Sequence, residues 1–148
     1  NSAKLLQEIQ RHKFDATVTY DRYGVAVEIN AKVFFRSGAA DIRQEYRYLT
    51  NKLMTIIAQS PEHYKLIFEG HTDDVPIVGS DRFRSNWDLS SARSVSMLNE
   101  LERRGVDKQR MSVVAYADTK PKIPITNKSG RALAEARAAN RRVVIRIQ

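Results

Sequence analysis

The sequence contains no cysteine among its 148 residues. A disulfide framework, a thiolate metal site and a cysteine nucleophile are therefore all excluded. The lack of thiols permits an oxidising compartment, although it does not by itself indicate one.

Histidine is almost as scarce, and common catalytic motifs are missing. The three histidines, His12, His63 and His71, lie on separate segments without the spacing of metal ligands. The sequence has no Gly-x-Ser-x-Gly elbow, no dinucleotide-binding glycine motif and no phosphate-binding loop. The side chains of Asp73 and Asp74 need not converge as a paired acid and base would. The sequence therefore favours a protein without catalytic activity, cofactor or metal.

Long hydrophobic runs are also lacking. No apolar stretch approaches the roughly 18 residues of a membrane span, and no signal peptide precedes Asn1. Hydrophobic residues still make up 42% of the chain, which is enough to build a core. We expect residues 1–148 to form a single soluble domain.

What the chain has in excess is positive charge, with a formal net charge of +8 and a pI near 9.9. A basic surface is typical of nucleic-acid binders. Here, however, the cations are scattered, and no helix-turn-helix, zinc-finger or aromatic RNA-binding motif accompanies them. Attraction to another anionic surface, or solubility alone, explains the same charge. We therefore expect no nucleic-acid partner.

The pattern along the chain predicts a mixed α/β fold. Alternating apolar residues around a turn at residues 21–24 indicate a β-hairpin, and strands are expected at 65–69, 111–115 and 142–148, the last with one face buried. Helical spacing is found near residues 3–11, 39–59 and 129–139, and Ser60-Pro61 ends the second of these helices.

The most informative stretch lies between residues 69 and 93. Asp73 follows the predicted strand at 65–69, at the end of a strand where α/β sheets usually bind ligands. The next segment opens a helix for which Ser90 is the expected N-cap, which would put Arg93 in the first turn. A cation there is opposed by the helix dipole at a cost of roughly 0.3 to 1 kcal/mol, so another role for Arg93 is indicated.

A zwitterionic ligand would give both side chains a role. A guanidinium beside free helix N–H groups forms a carboxylate receptor, and Asp73 could accept an ammonium group. The head of an α-amino acid presents both groups on one carbon. The alternative is a structural ion pair between Asp73 and Arg93, and the spacing does not decide between the two.

Four motifs in order resemble the OmpA-like peptidoglycan-binding domain, in particular the periplasmic part of MotB/PomB-type flagellar stator proteins. They cover residues 33–145 and read Val33-Phe34-Phe35-Arg36-Ser37-Gly38-Ala39-Ala40, Gly70-His71-Thr72-Asp73, Asn86-Trp87-Asp88-Leu89-Ser90-Ser91-Ala92-Arg93 and Ala136-Arg137-Ala138-Ala139-Asn140-Arg141-Arg142-Val143. The first resembles the strand and turn that open the family's domain. Val75-Pro76-Ile77 and Ser85-Asn86-Trp87 favour the stator branch.

The resemblance implies a fold and a set of binding residues. The fold is an OmpA-like mixed β-sheet with helices on one face at residues 33–148, preceded by a helix and hairpin at 1–32. Asp73 would bind the ammonium and Arg93 the carboxylate of diaminopimelate in the cell-wall peptide. Thr72 and Asn86 would be pocket residues, and Arg141 a further contact.

It also implies a biological role, namely anchoring a flagellar stator to peptidoglycan. The domain would be a periplasmic homodimer joined to a MotA/PomA-type subunit through an inner-membrane helix absent from this chain. Alternatives are a structural or dimerisation module with a self-paired Asp73–Arg93 bridge, another cell-wall tether, or a small cell-wall hydrolase.

Three alanines depart from the family pattern. Ala115, Ala117 and Ala136 occupy positions where the family usually has glycine. Since alanine enters positive-φ conformations less readily than glycine, the geometry of these loops is expected to differ.

Overall fold

The computed structural model describes Gln7 and residues 16–148, except for the side chain of Asp21. The helix predicted near residues 3–11 lies outside this part, apart from Gln7, which is helical. Within the described residues there are five strands and three α-helices, in the order β1 (Ala16–Asp21), β2 (Gly24–Asn30), α1 (Arg47–Ala58), β3 (Leu66–His71), α2 (Asn86–Arg103), β4 (Met111–Ala117), α3 (Gly130–Asn140) and β5 (Arg142–Ile147). Short 3-10 helices cover Ala31–Val33, Gln44–Tyr46 and Lys108–Arg110.

The strands form one mixed sheet in the order β1-β2-β5-β3-β4. The β1–β2 hairpin turns between Asp21 and Gly24, as predicted. The last strand, β5, enters the middle of the sheet and pairs antiparallel with both β2 and β3. Only β3 and β4 run parallel, so their carboxyl ends lie side by side at one edge of the sheet.

One face of the sheet forms the hydrophobic core with α1 and α2. Alternate residues of the strands point into it, as a period of two requires. The buried members are Val25, Val27, Ile29, Leu66, Phe68, Val143, Ile145 and Ile147 from the sheet, and Leu53, Met54, Ile57, Met97 and Leu101 from the helices. Each such side chain contributes roughly 1.5–3 kcal/mol when fully buried.

Burial in β5 extends beyond the predicted face. Arg142 and Val144, which alternate with the core residues, are only 9% and 5% exposed. Arg142 forms an ion pair with Glu28 at 3.3 Å. The second face of β5 is therefore also partly buried, and it contains an ion pair. The alternation of hydrophobic residues in the sequence could not predict this burial.

Two predicted elements are shorter than expected. The helix at residues 39–59 begins only at Arg47, after a 3-10 turn, although it ends at Ala58 as predicted. Ile42 instead forms an isolated bridge with Phe35, and the Arg43 N–H donates to the Phe34 carbonyl. The family's opening strand at residues 33–40 is likewise reduced to this bridge. Backbone hydrogen bonds across the loop therefore override the helical spacing of the apolar residues here.

The start of α2 corrects a more important expectation. The helix begins at Asn86 with Ser85 as N-cap residue, so Ser90 lies inside it and Arg93 is not in its first turn. Asp88 accepts a hydrogen bond from the Arg84 N–H at 2.9 Å, which fixes the chain at the true start. The argument from the helix dipole therefore does not apply to Arg93.

Candidate functional site

A cleft of about 600 Å³ opens beyond the carboxyl end of β3. It is bordered by the 3-10 turn after β2, the loop after β3, the start of α2 and the end of α3. All five candidate residues from the sequence line it, namely Thr72, Asp73, Asn86, Arg93 and Arg141. The sequence thus identified a set of side chains that the fold brings together from three separate segments.

Close packing of α2 on the sheet positions Arg93. Gly70 makes this possible, since a Cβ atom there would lie 2.1 Å from the Ser90 carbonyl oxygen. The fully buried Ser90 accepts a hydrogen bond from the Ala117 N–H at 3.2 Å, and Ser94 donates to the Val114 carbonyl at 3.3 Å. These contacts fix α2 against β3 and β4. The expected N-cap serine is in fact a packing residue.

Arg93 is a buried cation, with only 4% of its surface exposed. Its guanidinium donates to the Ala39 carbonyl at 2.8 Å and the Arg36 carbonyl at 3.3 Å, and it lies 5.1 Å from the centre of the Phe35 ring. Among the described residues, no carboxylate lies within 4.0 Å of it. Burial lowers the pKa of Arg93 to about 10, and the charge of Arg141 adds to this effect.

Asp73 lies nearby but has a different partner. Its Oδ2 accepts a hydrogen bond from Arg141 at 2.6 Å, and its Oδ1 accepts one from the Val75 N–H at 3.0 Å. The self-paired Asp73–Arg93 bridge considered from the sequence is therefore wrong. Arg141, which the resemblance gave as a further contact, provides the ion pair instead.

Thr72 and Asn86 shape the loop that carries Asp73. Thr72 donates through its N–H to the Ala117 carbonyl at 2.8 Å and through its hydroxyl to the Asp73 carbonyl at 2.9 Å. The Asn86 amide donates to the carbonyls of Asp73 and Val75, at 3.3 and 3.1 Å. Both side chains thus hold backbone in place at the edge of the cleft.

Sequence reasoning missed the pair between Asp74 and Arg137. The guanidinium donates to both carboxylate oxygens, at 2.9 and 3.0 Å. The hydrogen bond from Arg137 holds the pKa of Asp74 below its ordinary value, and the same bond raises the pKa of Arg137. The pair ties the β3 loop to α3. The only signal in the sequence was the presence of Arg137 in the closing motif.

The described part of the chain contains neither a metal-binding cluster nor a membrane-spanning helix. Within residues 16–148 and Gln7, no cluster of three or more histidines and acids has the geometry to hold a metal ion. The same residues contain no helix with the length and hydrophobicity needed to cross a bilayer.

A family model described as the OmpA family matches residues 34–141, well over half of the chain. The chain belongs to the OmpA family. The resemblance found in the sequence is therefore confirmed, together with the mixed α/β fold. The residues that line the cleft lie within the matched part, except Ala31 and Lys32, which precede it.

The chain is similar to motility proteins of known identity. Motility protein B of Bacillus subtilis is 34% identical over 92% of this chain and 49% of its own length. The periplasmic domain of Helicobacter pylori MotB superposes with a TM-score of 0.76 at 25% identity, covering 90% of this chain and 81% of that one. This chain thus spans about half the length of the Bacillus subtilis relative.

A structure from a secretion system is similar as well. The cell wall anchor of the type VI secretion system (T6SS) from Pseudomonas aeruginosa has a TM-score of 0.80 and 29% identity. The match covers 98% of this chain and 94% of that one. The fold is therefore shared with the periplasmic domain of MotB and with a cell wall anchor of a secretion system.

Proposed function

We propose that the cleft binds peptidoglycan through its stem peptide, and that the recognised group is the zwitterionic head of diaminopimelate. The observation that carries this proposal is the guanidinium of Arg93, which is buried at the cleft with no carboxylate partner among the described residues. Arg93 would bind the ligand carboxylate, and Asp73 the ligand ammonium.

The energetics of Arg93 support a ligand in this position. An ion taken out of water without a counter-charge costs several kcal/mol, and hydrogen bonds to two backbone carbonyls and the ring of Phe35 offset only part of that cost. A carboxylate would supply the missing charge and could accept two parallel hydrogen bonds. Each charged hydrogen bond contributes about 1.5–3 kcal/mol.

Asp73 is suited to bind an ammonium group because its ion pair with Arg141 can be broken or shared. The Arg141 side chain is 44% exposed, so it can turn to water and leave one Asp73 carboxylate oxygen to the ligand, or share that oxygen with it. Thr72 and Asn86 would keep the Asp73 loop in its binding geometry through their hydrogen bonds to its backbone.

We propose further that this binding anchors a flagellar stator unit to the cell wall, without catalysis. Family membership and the Motility protein B relatives support that role. The domain would act in the periplasm as a homodimer. It would be joined to a MotA/PomA-type subunit by an inner-membrane helix from a part of the protein outside this sequence.

A cell-wall tether outside the flagellum is the second candidate, favoured by the similarity to the Pseudomonas aeruginosa anchor. Both candidates use the same cleft, so binding alone does not separate them. Deleting the gene and scoring swimming in soft agar does. A motile deletion strain would contradict the stator role, whereas a non-motile strain rescued by the full-length gene would support it.

The binding proposal is tested by co-sedimentation with purified cell walls. We expect Arg93→Ala to weaken the affinity for cell walls by at least tenfold, because one charged carboxylate contact of about 1.5–3 kcal/mol is lost. Arg110→Ala is a matched control, since Arg110 also donates to backbone carbonyls, those of Tyr64 and Pro61, but away from the cleft. Circular dichroism checks the fold of both variants. A folded Arg93→Ala protein that binds like wild type would contradict the site.

Hydrolysis of the cell wall is tested in the same samples. We expect no soluble muropeptides to appear above the level of a protein-free control after prolonged incubation, measured by chromatography. Release of products that depends on the protein would contradict the non-catalytic role.

A further inference from the structure

The cleft carries more positive charge than its own acids neutralise. Three cations line it, Lys32, Arg93 and Arg141, against the single carboxylate of Asp73. The other acid of the loop, Asp74, is already held on both oxygens by an arginine of α3. A zwitterionic head brings one charge of each sign, so its binding would leave the surplus of cations unchanged.

This surplus is concentrated around Arg93. The positive charge of Arg141 is close enough to contribute, after burial, to lowering the pKa of Arg93, and Asp73 opposes that effect only in part. The fold therefore holds two guanidinium groups near each other in a partly desolvated cleft. A ligand with additional negative charge would relieve the repulsion between them.

Lys32 stands at the rim of this cleft on a well-fixed backbone. Its N–H donates to Asn30 Oδ1 at 3.0 Å, and its carbonyl accepts from Arg43 at 3.1 Å. The adjacent Ala31 N–H donates to the Arg141 carbonyl at 2.9 Å, which ties the turn to the opposite side of the site. The Lys32 side chain is exposed, and no acid of the described residues forms an ion pair with it.

We propose that the cleft recognises a second carboxylate of the stem peptide, outside the zwitterionic head, and that Lys32 contacts it. This inference rests on the proposed peptidoglycan binding and defines the ligand more closely, as a stem peptide whose other carboxylates are free acids. The second carboxylate belongs to the same molecule as the head, so binding of the head presents it to Lys32 at a high effective concentration. A peptide with carboxamides in these positions keeps the head but lacks the extra charge.

Isothermal titration calorimetry with two synthetic stem tripeptides tests the proposal. Both end in diaminopimelate with an intact zwitterionic head, and they differ in whether the remaining carboxylates are free acids or carboxamides. Because the Lys32 ammonium is exposed, we expect the amidated peptide to bind wild type only about three- to fivefold more weakly. This discrimination should shrink further at high salt, which screens exposed charges.

Two variants assign the effect to Lys32. Lys32→Gln should bind the two peptides with nearly equal affinity, whereas Lys108→Gln, a change at an exposed lysine outside the cleft, should discriminate like wild type. Equal affinity of wild type for both peptides, or undiminished discrimination by Lys32→Gln, would overturn the inference while leaving the proposed function intact. If neither peptide binds wild type, the proposed function fails as well.

Discussion

Helix α2 carries two buried charges of opposite sign, Arg93 and Glu100, seven residues apart and so two turns along one face. Glu100 is 2% exposed and is contacted by three arginines, Arg47 at 3.0 Å, Arg104 at 3.1 Å, and Arg103. Arg93 is 4% exposed and has no carboxylate partner in the described residues. The charge of Glu100 is thus neutralised by nearby arginines, whereas no acid of the described residues forms an ion pair with Arg93.

We interpret the difference as one between a structural charge, Glu100, and a charge proposed to bind a ligand, Arg93. The fold surrounds Glu100 with arginines from α1, from the last turn of α2 and from the residue that follows it, because an unpaired buried carboxylate would be destabilising. It surrounds Arg93 with backbone carbonyls and an aromatic ring, which position the guanidinium without cancelling its charge. We infer that stability depends mainly on the first region and ligand affinity on the second.

The largest effect is expected from a substitution that breaks the ion-pair cluster around Glu100. Glu100→Gln should lower the free energy of unfolding by about 2–3 kcal/mol, because three arginines lose their shared acid. The figure is below the usual range for buried pairs, since Arg103 is 59% exposed and can return to water. Urea denaturation measures the loss. Muropeptide affinity of the folded variant should equal that of wild type, and a change there would contradict the separation of roles.

The next effect concerns the ligand groups assigned to the cleft. Acetylating the amine of the diaminopimelate head should weaken binding to wild type by roughly 1.5–3 kcal/mol, and amidating its carboxylate should do the same. In Asp73→Asn only the acetylation should become nearly neutral, and in Arg93→Ala only the amidation, as a double-mutant cycle by calorimetry would reveal. Equal losses in both variants would mean that the two residues merely maintain the shape of the cleft.

Much of this molecule could be predicted from local patterns. The hairpin, strands β3 to β5 and helix α3 follow from periodicity and turn residues, and the five cleft residues from the family motifs. The predicted start of α2 was wrong because Ser85 and Ser90 are both acceptable N-cap residues by sequence. Only the close contact between Gly70 and Ser90 in the folded chain shows that Ser90 lies inside the helix.

The partners within the cleft were beyond the reach of sequence patterns. Asp73 pairs with Arg141, 68 positions away, rather than with Arg93, and several cations of correct charge were available along the chain. Lys32 lies at the cleft on a turn that a backbone hydrogen bond joins, through Ala31, to Arg141. Pairings of this kind depend on the completed sheet, so spacing in the sequence does not encode them.

A smaller effect is expected from Asp74, the second acid in the loop after β3. The lowered pKa of Asp74 means that its stabilising effect is fully present above the ordinary aspartate value of 3.8 and is lost as pH falls through the lower value of the folded state. Asp74→Asn should therefore reduce stability modestly at neutral pH and weaken its dependence on acid below pH 4. Thermal melts across this range test it, with the exposed Asp118→Asn as control. Identical acid dependence in Asp74→Asn and wild type would contradict a structural role for the pair.

The smallest expected effect lies at Ala117, which contacts Thr72 beside the cleft and has a φ of 52°. Gly105, just beyond the Glu100 end of α2, has a φ of 88°. Glycine meets the requirement at Gly105, but alanine in this conformation costs roughly 1–2 kcal/mol. Ala117→Gly removes that strain and restores roughly 0.5–1 kcal/mol of backbone entropy to the unfolded chain, so a net stabilisation of about 0.5 kcal/mol is expected. Ala115→Gly, at a strand position without positive φ, should instead be destabilising.

Since the Ala117 N–H and carbonyl form hydrogen bonds with Ser90 and Thr72, a more flexible glycine at position 117 should also weaken muropeptide binding slightly. Denaturation and calorimetry on the two variants measure both quantities. A destabilised Ala117→Gly would mean that the alanine methyl, 1% exposed, contributes more by packing than its backbone loses by strain.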